Sequence, residues 1–183
     1  MNNELPLITI GITCFNSEDT IIKALNSAVS QTYPKIEVIV VDDASVDDSV
    51  RIIQEFVGLR DDIRLFAHPK NTGMAGALNT IISNAKGQLI AWFDDDDISF
   101  PERVKLQYEV ISQYRKKNGA LLGCWCGTQK KYPNGFLSVR PAIGSSKEIP
   151  KGRDILDYHL NMTPTVGKFF GSDSLREIMM KLP

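Results

Sequence analysis

The stretch Leu89-Ile90-Ala91-Trp92-Phe93-Asp94-Asp95-Asp96-Asp97 decides the fold class, because a short apolar run passes directly into four aspartates. A short, continuous apolar run is typical of a strand that is buried on both faces of a parallel sheet. Similar β-rich runs precede it at residues 7–12, 36–41 and 63–66. The sequence therefore predicts a series of buried strands, the last of which ends in a cluster of carboxylates.

Segments with helical periodicity separate these strands. The clearest of them is followed by Gly87, where a helix should stop, and its apolar face consists of Met74, Ala77, Leu78, Ile81, Ile82 and Ala85. The other segments are preceded by polar residues that we expect to cap helices, namely Asn16 or Ser17, Ser45 with Asp48, and Ser99 with Glu102. The alternation of strand and helix predicts an α/β fold with a doubly wound, mostly parallel central sheet flanked by helices.

The pattern loosens after about Lys117. We predict strands at 120–125 and 136–139, a turn at 132–135 and short helices at 153–160 and 172–181. We therefore divide the chain into an α/β part, residues 1–117, and a less regular part, residues 118–183, and we expect both to belong to one domain.

Polar residues follow three of the predicted strands at the points where the strands end. They are Thr13, Cys14, Phe15 and Asn16 after the first strand, Asp42 and Asp43 after the second, and the four aspartates after the fourth. Ligands of open α/β sheets bind beyond the carboxyl ends of the strands. The three ends together predict a binding site, although capping of the next helix and packing of Phe15 on the first helix remain open for single residues.

The four aspartates favour a metal site. Carboxylates so close together repel one another, and they must take up protons or share a cation. Mg²⁺ or Mn²⁺ is the natural partner of oxygen ligands, and Mg²⁺ typically uses one or two carboxylates together with water and substrate phosphates. The alternative is a solvated acidic loop in which Asp97 or Ser99 caps the following helix.

Composition and absent motifs exclude several classes of protein. A net charge of −1 gives no basic field for nucleic acid or an anionic membrane. No apolar run is long enough to span a membrane, no signal peptide is visible, and the three cysteines have no disulfide or zinc spacing. We therefore expect a cytoplasmic protein. The glycine motifs of dinucleotide-binding and P-loop proteins are missing, and of the two histidines His68 is predicted to be structural.

Six segments between the amino terminus and about Gln107 form an ordered set of motifs, namely residues 6–16, 30–34, 37–45, 71–79, 85–87 with the aspartates, and 101–103. In these segments and their order the chain resembles the inverting family-two glycosyltransferases, which transfer sugars from nucleotide diphosphates and have the GT-A fold. The ordered set is far more specific than any one of its motifs.

The resemblance implies a role for each matching residue. Thr13 and Phe15, with Asn16 and Asp42 beside them, would line the donor pocket, and Asp43 would contact the base, usually uracil. Asp94-x-Asp96 corresponds to the family's Asp-x-Asp signature, so Asp96 and Asp94 would hold Mg²⁺ or Mn²⁺, with Asp94 or Asp95 near the ribose. Residues 1–117 would then bind a UDP-sugar, and residues 118–183 would form an incomplete acceptor side for a glycan or lipid-linked acceptor. The resemblance further implies a role in bacterial surface polysaccharide synthesis, at the inner face of the membrane.

The sequence departs from the family in one respect. The family's general base lies in a Glu-Asp pair, and no such pair follows Asp97. Asp173 and Glu177 are available carboxylates, but neither stands in the sequence context of the family's Glu-Asp pair. We therefore expect the catalytic base beyond Pro183 and expect the chain to be an amino-terminal fragment. One alternative is a binding module without transfer activity. A sugar nucleotidyltransferase is less favoured, because that class carries a glycine-rich, basic loop after the first strand and this sequence does not.

Overall fold

The computed structural model describes residues 4–58, 60–118, 124, 126, 128–132 and 134–140. Strands and helices alternate in the first part of the chain and a pair of strands follows: β1 (Ile8–Cys14), α1 (Ile21–Val29), β2 (Ile36–Asp42), α2 (Ser49–Val57), β3 (Ile63–Ala67), α3 (Gly73–Asn84), β4 (Leu89–Asp94), α4 (Arg103–Asn118), β5 (Thr128–Lys131) and β6 (Leu137–Arg140). The predicted helices at 153–160 and 172–181 lie outside the described residues, as does most of the predicted strand at 120–125.

β1 to β4 form a parallel sheet in the order β3-β2-β1-β4. The chain moves outward from β1 through β2 to β3 and then crosses back to place β4 on the other side of β1. This reversal puts the carboxyl ends of β1, β2 and β4 next to one another, which is the position where α/β sheets of this kind bind ligands. The predicted α/β fold with a parallel central sheet is confirmed.

The two central strands form the core because their side chains are buried on both faces of the sheet. Ile10 and Ile12 of β1 and all residues from Val38 to Val41 of β2 are completely buried. Helix α3 packs Ala77 and Ile81 against Ile39 and Val41 of β2. This two-sided burial explains why the strands are nearly continuous apolar runs in the sequence.

The helix starts differ from the sequence predictions. No side chain caps α1, which begins at Ile21, or α2, which begins at Ser49. Ser45 instead binds Asp42 through its backbone N–H and its hydroxyl, and Ser99 accepts a hydrogen bond from Arg103. The predicted side-chain caps of α1 and α2 were wrong, because the hydroxyls of Ser17 and Ser45 donate to Asp95 and Asp42 instead.

Glu37 holds together the end of the sheet opposite the carboxyl ends. Its Oε1 accepts hydrogen bonds from Thr9 Oγ1 (2.7 Å) and from the backbone N–H groups of Lys86 (2.6 Å) and Gly87 (3.1 Å), and its Oε2 accepts one from Arg64 (2.8 Å). Burial raises the pKa of Glu37, but these donors outweigh it and leave the pKa lowered. The Lys86–Gly87 connection between α3 and β4 is thereby fixed to β1 and β2.

The described residues divide into two compact units, one ending at Val104 and the other beginning at Lys105. In the second unit β5 and β6 pair antiparallel, and Gly135 has a φ of 82° in the connecting turn. The predicted turn is confirmed, and β6 matches the predicted strand at 136–139 to within one residue, whereas β5 was not predicted. Within the described part of the chain, no helix is both long and apolar enough to cross a membrane.

Candidate functional site

The carboxyl ends of β1, β2 and β4 bring the predicted site residues onto one edge of the sheet. Thr13 of β1 pairs with Val41 on one side and with Asp94 on the other, and Cys14 pairs with Asp42. Burial raises the pKa of the Cys14 thiol to about 12, with a smaller contribution from the Asp95 and Asp42 carboxylates. Cys14 is therefore a packed, protonated thiol and not a nucleophile.

Asp95 connects the end of β4 to the loop that follows β1. Its Oδ2 accepts hydrogen bonds from the backbone N–H of Phe15 (3.1 Å) and from the hydroxyl of Ser17. The ring of Phe15, 48% exposed, stays available at the surface. Asp95 thus fixes the backbone that presents Phe15.

Asn16 and Ala44 carry the backbone through unusual conformations at the same edge. Their φ angles are 52° and 65°, in the left-handed region, which Asn tolerates better than most residues. Asn16 donates its N–H to Ser45 Oγ (2.9 Å) and accepts the N–H of Val46 at Oδ1 (2.9 Å). The loops after β1 and β2 therefore support each other, and the Asn16 side chain serves this contact.

The two aspartates at the carboxyl end of β2 are both buried. Asp42 is 1% exposed and accepts the N–H (3.0 Å) and hydroxyl (2.5 Å) of Ser45. Asp43 is 4% exposed, and four donors from the connection between β3 and α3 surround its carboxylate. Burial raises the pKa of Asp43, but hydrogen bonds from His68, Thr72 and Gly73 outweigh it and lower the pKa overall. Asp43 is therefore ionised near neutral pH, and His68, for which a structural role was predicted, lies in contact with its carboxylate.

The charges of the aspartates at the end of β4 are poorly balanced. Asp94 lies at the surface, but neighbouring protein atoms partly shield its carboxyl group from water, and this desolvation, followed by repulsion from Asp97, Asp96 and Asp95, raises its pKa. Burial and Asp96 likewise raise the pKa of Asp97, while Arg103 opposes both shifts. The Arg103 guanidinium itself binds the hydroxyl of Ser99 and the carbonyl of Trp92 and stacks on Phe93, with 4.4 Å to the ring centroid.

Asp94 and Asp96 suit a metal that is shared with a ligand. Both are exposed, and no donor within the described part of the chain binds either carboxylate. Among the described residues, no three His, Cys, Asp or Glu side chains converge to form a cage for a metal ion. One or two carboxylates with phosphate oxygens and water are, however, the usual ligands of Mg²⁺ in nucleotide sites. The pair therefore fits a metal that arrives with a diphosphate.

The fold and the acidic edge together define an α/β protein with a candidate ligand site at the carboxyl ends of its parallel strands. The chain belongs to glycosyl transferase family 2, whose family model matches residues 9–164. The parallel sheet and the solved structures of similar fold agree with the predicted GT-A-type fold.

Similar proteins include a glycosyltransferase and a protein of succinoglycan biosynthesis. An uncharacterized glycosyltransferase of Rickettsia bellii is 38% identical over 120 residues, which are 64% of this chain and 17% of the relative. The succinoglycan biosynthesis protein ExoO of Rhizobium meliloti is 36% identical over 107 residues, 58% of this chain and 30% of the relative. The chain thus spans less than a third of either relative.

Two solved structures have the same fold. Residues 1–349 of TarS from S. aureus, in complex with UDP-GlcNAc, are 26% identical with a TM-score of 0.55, covering 60% of this chain and 32% of that one. The mannosyltransferase PcManGT from Pyrobaculum calidifontis, in complex with GDP-Man and Mn²⁺, is 27% identical with a TM-score of 0.57, covering 72% and 37%.

The site contains residues that the sequence did not assign to it. Ser17, Ser45, Thr72 and Gly73 bind the predicted aspartates and asparagine directly. Asn71-Thr72-Gly73 was noted only as part of the family pattern, and its position just before α3 was the available signal. The predicted residues that share the edge or the loops beginning there are Thr13, Phe15, Asn16, Asp42, Asp43, Asp94, Asp95 and Asp96.

Proposed function

We propose that this chain binds the donor in a metal-dependent glycosyl transfer, in which a sugar passes from a nucleotide diphosphate to an acceptor hydroxyl with inversion. The donor is a nucleotide-diphospho-sugar, with uridine as the favoured nucleoside. The relatives support a place in bacterial surface polysaccharide synthesis, with a glycan or lipid-linked acceptor, and the neighbours are complexes with nucleotide-sugars.

The observation that carries this proposal is the uncompensated negative charge at the end of β4. Asp95 is engaged by the loop after β1, whereas Asp94 and Asp96 are exposed and the pKa of Asp94 is raised. Asp96, with Asp94, holds Mg²⁺ or Mn²⁺ in this proposal. The metal would neutralise charge on the diphosphate leaving group, and the aspartates orient the donor against the carboxyl edge of the sheet.

The nucleoside lies over the ends of β1 and β2 in this proposal. The exposed ring of Phe15 stacks on the base, Thr13 lines the pocket, and Asn16 and Asp42 hold the two loops that shape it. Asp43 accepts a hydrogen bond from the base. Because Asp43 is buried and ionised, it is a strong acceptor with a fixed position.

The division of labour along the chain is also a proposal. Residues 1–117 bind the donor and residues 118–183 belong to the acceptor side. The protein works in the cytoplasm, peripherally at the inner face of the membrane. The second candidate is a nucleotide-sugar-binding module without transfer activity.

Calorimetry with UDP and MnCl₂ tests the donor site. We expect metal-dependent binding by the unaltered chain and its loss in Asp96→Ala. Asp61→Ala, which removes an exposed carboxylate between α2 and β3, is the matched control and should bind normally. If Asp96→Ala binds UDP and Mn²⁺ as tightly as the unaltered chain, the metal assignment is wrong. Absence of nucleotide binding by the unaltered chain would contradict the donor proposal.

A further inference from the structure

Asp43 and His68 belong to a hydrogen-bonded cluster beside the proposed base pocket. Asp43 Oδ1 lies 2.7 Å from His68 Nδ1 and 2.8 Å from both the backbone N and the hydroxyl of Thr72. Asp43 Oδ2 accepts one bond, from the backbone N–H of Gly73 at 2.7 Å. On the far side of the ring, His68 Nε2 lies 2.9 Å from the hydroxyl of Thr80. The two oxygens of one carboxylate therefore have unequal surroundings.

The distances fix where the protons lie. An ionised carboxylate can only accept hydrogen bonds, so the 2.7 Å contact requires a proton on His68 Nδ1. A protonated Nδ1 cannot accept, and the hydroxyl of Thr72 must then donate to Asp43 Oδ1. Thr80 can donate to Nε2 of a neutral ring, or accept from a charged ring while donating to the carbonyl of Gly76 at 3.2 Å. Both protonation states of His68 leave the contacts of Asp43 unchanged.

Counting donors shows which acceptor position is left. A carboxylate has about four lone-pair positions, two on each oxygen. Among the described residues, three donors bind Oδ1, whereas Oδ2 has one donor and keeps one lone-pair position free. The side chain of Asp43 is 6% exposed, which leaves little room for a ligand to rearrange it. Asp43 therefore offers a ligand a single acceptor.

We infer that His68 and Thr72 determine which base the site accepts, by occupying Oδ1 of Asp43 and leaving one acceptor that matches the single N3–H of uracil. Guanine presents two adjacent donors, N1–H and the exocyclic amino group, and needs both oxygens of a carboxylate. A base that leaves donors unpaired on a buried edge is strongly disfavoured. This inference rests on the proposed function, because it assumes that Asp43 contacts the base. His68 and Thr72 are positioning residues here, since they act through Asp43.

The test compares UDP with GDP by calorimetry, each with MnCl₂, on the whole chain. The unaltered chain should bind UDP at least about tenfold more tightly than GDP. The double variant His68→Gln/Thr72→Val removes both side-chain donors, because Gln places its amide near Nε2 and Val lacks the hydroxyl. It leaves one backbone donor on each oxygen, so the UDP/GDP ratio should fall about tenfold or more. Either single variant should lie between the two.

The matched control is His68→Asn/Thr72→Ser, in which the Asn amide takes the position of Nδ1 and Ser keeps the hydroxyl. It should keep the preference for UDP. If His68 and Thr72 were merely structural, the double variant His68→Gln/Thr72→Val would weaken the binding of UDP and GDP alike and leave the UDP/GDP ratio unchanged. That result would overturn the inference. Equal binding of both nucleotides by the unaltered chain would overturn it as well. If the double variant does not fold, judged by its circular dichroism, Thr72→Val alone decides by whether the ratio falls. Absence of any nucleotide binding contradicts the proposed function itself.

Discussion

Asp95 and Asp96 are neighbours in the chain, yet their carboxylates have different surroundings. Asp95 is half-buried and binds the backbone of Phe15 and the hydroxyl of Ser17. Asp96 is exposed, and within the described residues no donor binds it. One carboxylate therefore stabilises the loop after β1, while the other only adds repulsion to its neighbours.

Replacing each of these aspartates by alanine should separate folding from binding. Asp95→Ala removes two hydrogen bonds to a charged acceptor and should lower the free energy of unfolding by roughly 1–2 kcal/mol. Asp96→Ala should change it by less than about 0.5 kcal/mol, or raise it, because repulsion among the carboxylates is relieved. Urea denaturation measures both, and an equal loss of stability in the two variants would contradict the different roles.

At this scale the sequence predicted which residues lie at the edge, but not what they bind. Asp42 and Asp43 follow a buried run, which was enough to place them at the carboxyl end of a strand. The donors around Asp43 come from His68, Thr72 and Gly73, which are 25 to 30 positions away. Such contacts depend on how β3 and α3 pack, and local sequence patterns do not contain that information.

Among the elements, the connection between α3 and β4 depends on one carboxylate. Glu37→Gln keeps the size of the side chain but removes the charge that accepts four hydrogen bonds. We expect a loss of roughly 1–3 kcal/mol in the free energy of unfolding at neutral pH. Glu55→Gln, at an exposed residue paired with Arg51, is the control and should cost less than about 0.5 kcal/mol.

The effect of Glu37→Gln should depend on pH. The pKa of Glu37 is lowered from its usual 4.5 in the folded protein, so the unfolded chain takes up the proton first as the solution is acidified. The stability that Glu37 contributes is fully present above that usual value, and it is lost as pH falls through the lower folded pKa. The difference between variant and unaltered chain, measured by urea denaturation, should therefore shrink in acid. A difference that stays constant in acid would exclude the charge as its cause.

Gly87 shows how closely the same connection approaches β1. A Cβ at this position would lie 2.5 Å from the backbone N and 2.6 Å from the hydroxyl of Thr9, a completely buried residue. Gly87→Ala should therefore cost about 1–3 kcal/mol in the free energy of unfolding, measured by urea denaturation. Gly58→Ala, whose Cβ would meet Gln54 O at 3.3 Å, is the control and should be nearly neutral. If both variants lose the same free energy of unfolding, the backbone at Thr9 must shift enough to accommodate the added methyl group.

Strands and helices were easier to predict than their ends. The buried strands are apolar on both faces, so their sequences differ sharply from the amphipathic helices between them. The starts of α1 and α2 were placed wrongly because the hydroxyls of Ser17 and Ser45 bind Asp95 and Asp42 and not helix N–H groups. Gly87 was expected to stop α3, which ends at Asn84, and its contact with Thr9 could not be read from the sequence.

For the molecule as a whole, donor binding and sugar transfer should be separable. UDP with Mn²⁺ at 100 times its dissociation constant should stabilise the chain by about 2.7 kcal/mol, seen as a rise in melting temperature that UDP alone does not reproduce. The chain contains no Glu-Asp pair after Asp97, and a missing general base costs about 10²–10⁴-fold in rate. We therefore expect sugar transfer from a bound UDP-sugar to be slower by that factor than in a family 2 enzyme that has the pair, measured as UDP released in a single turnover with an acceptor alcohol. Fast transfer would show that another carboxylate of this chain acts as the base. The variants Asp173→Asn and Glu177→Gln, at positions outside the described residues, would then identify that carboxylate, because the variant that lacks it would lose the fast transfer.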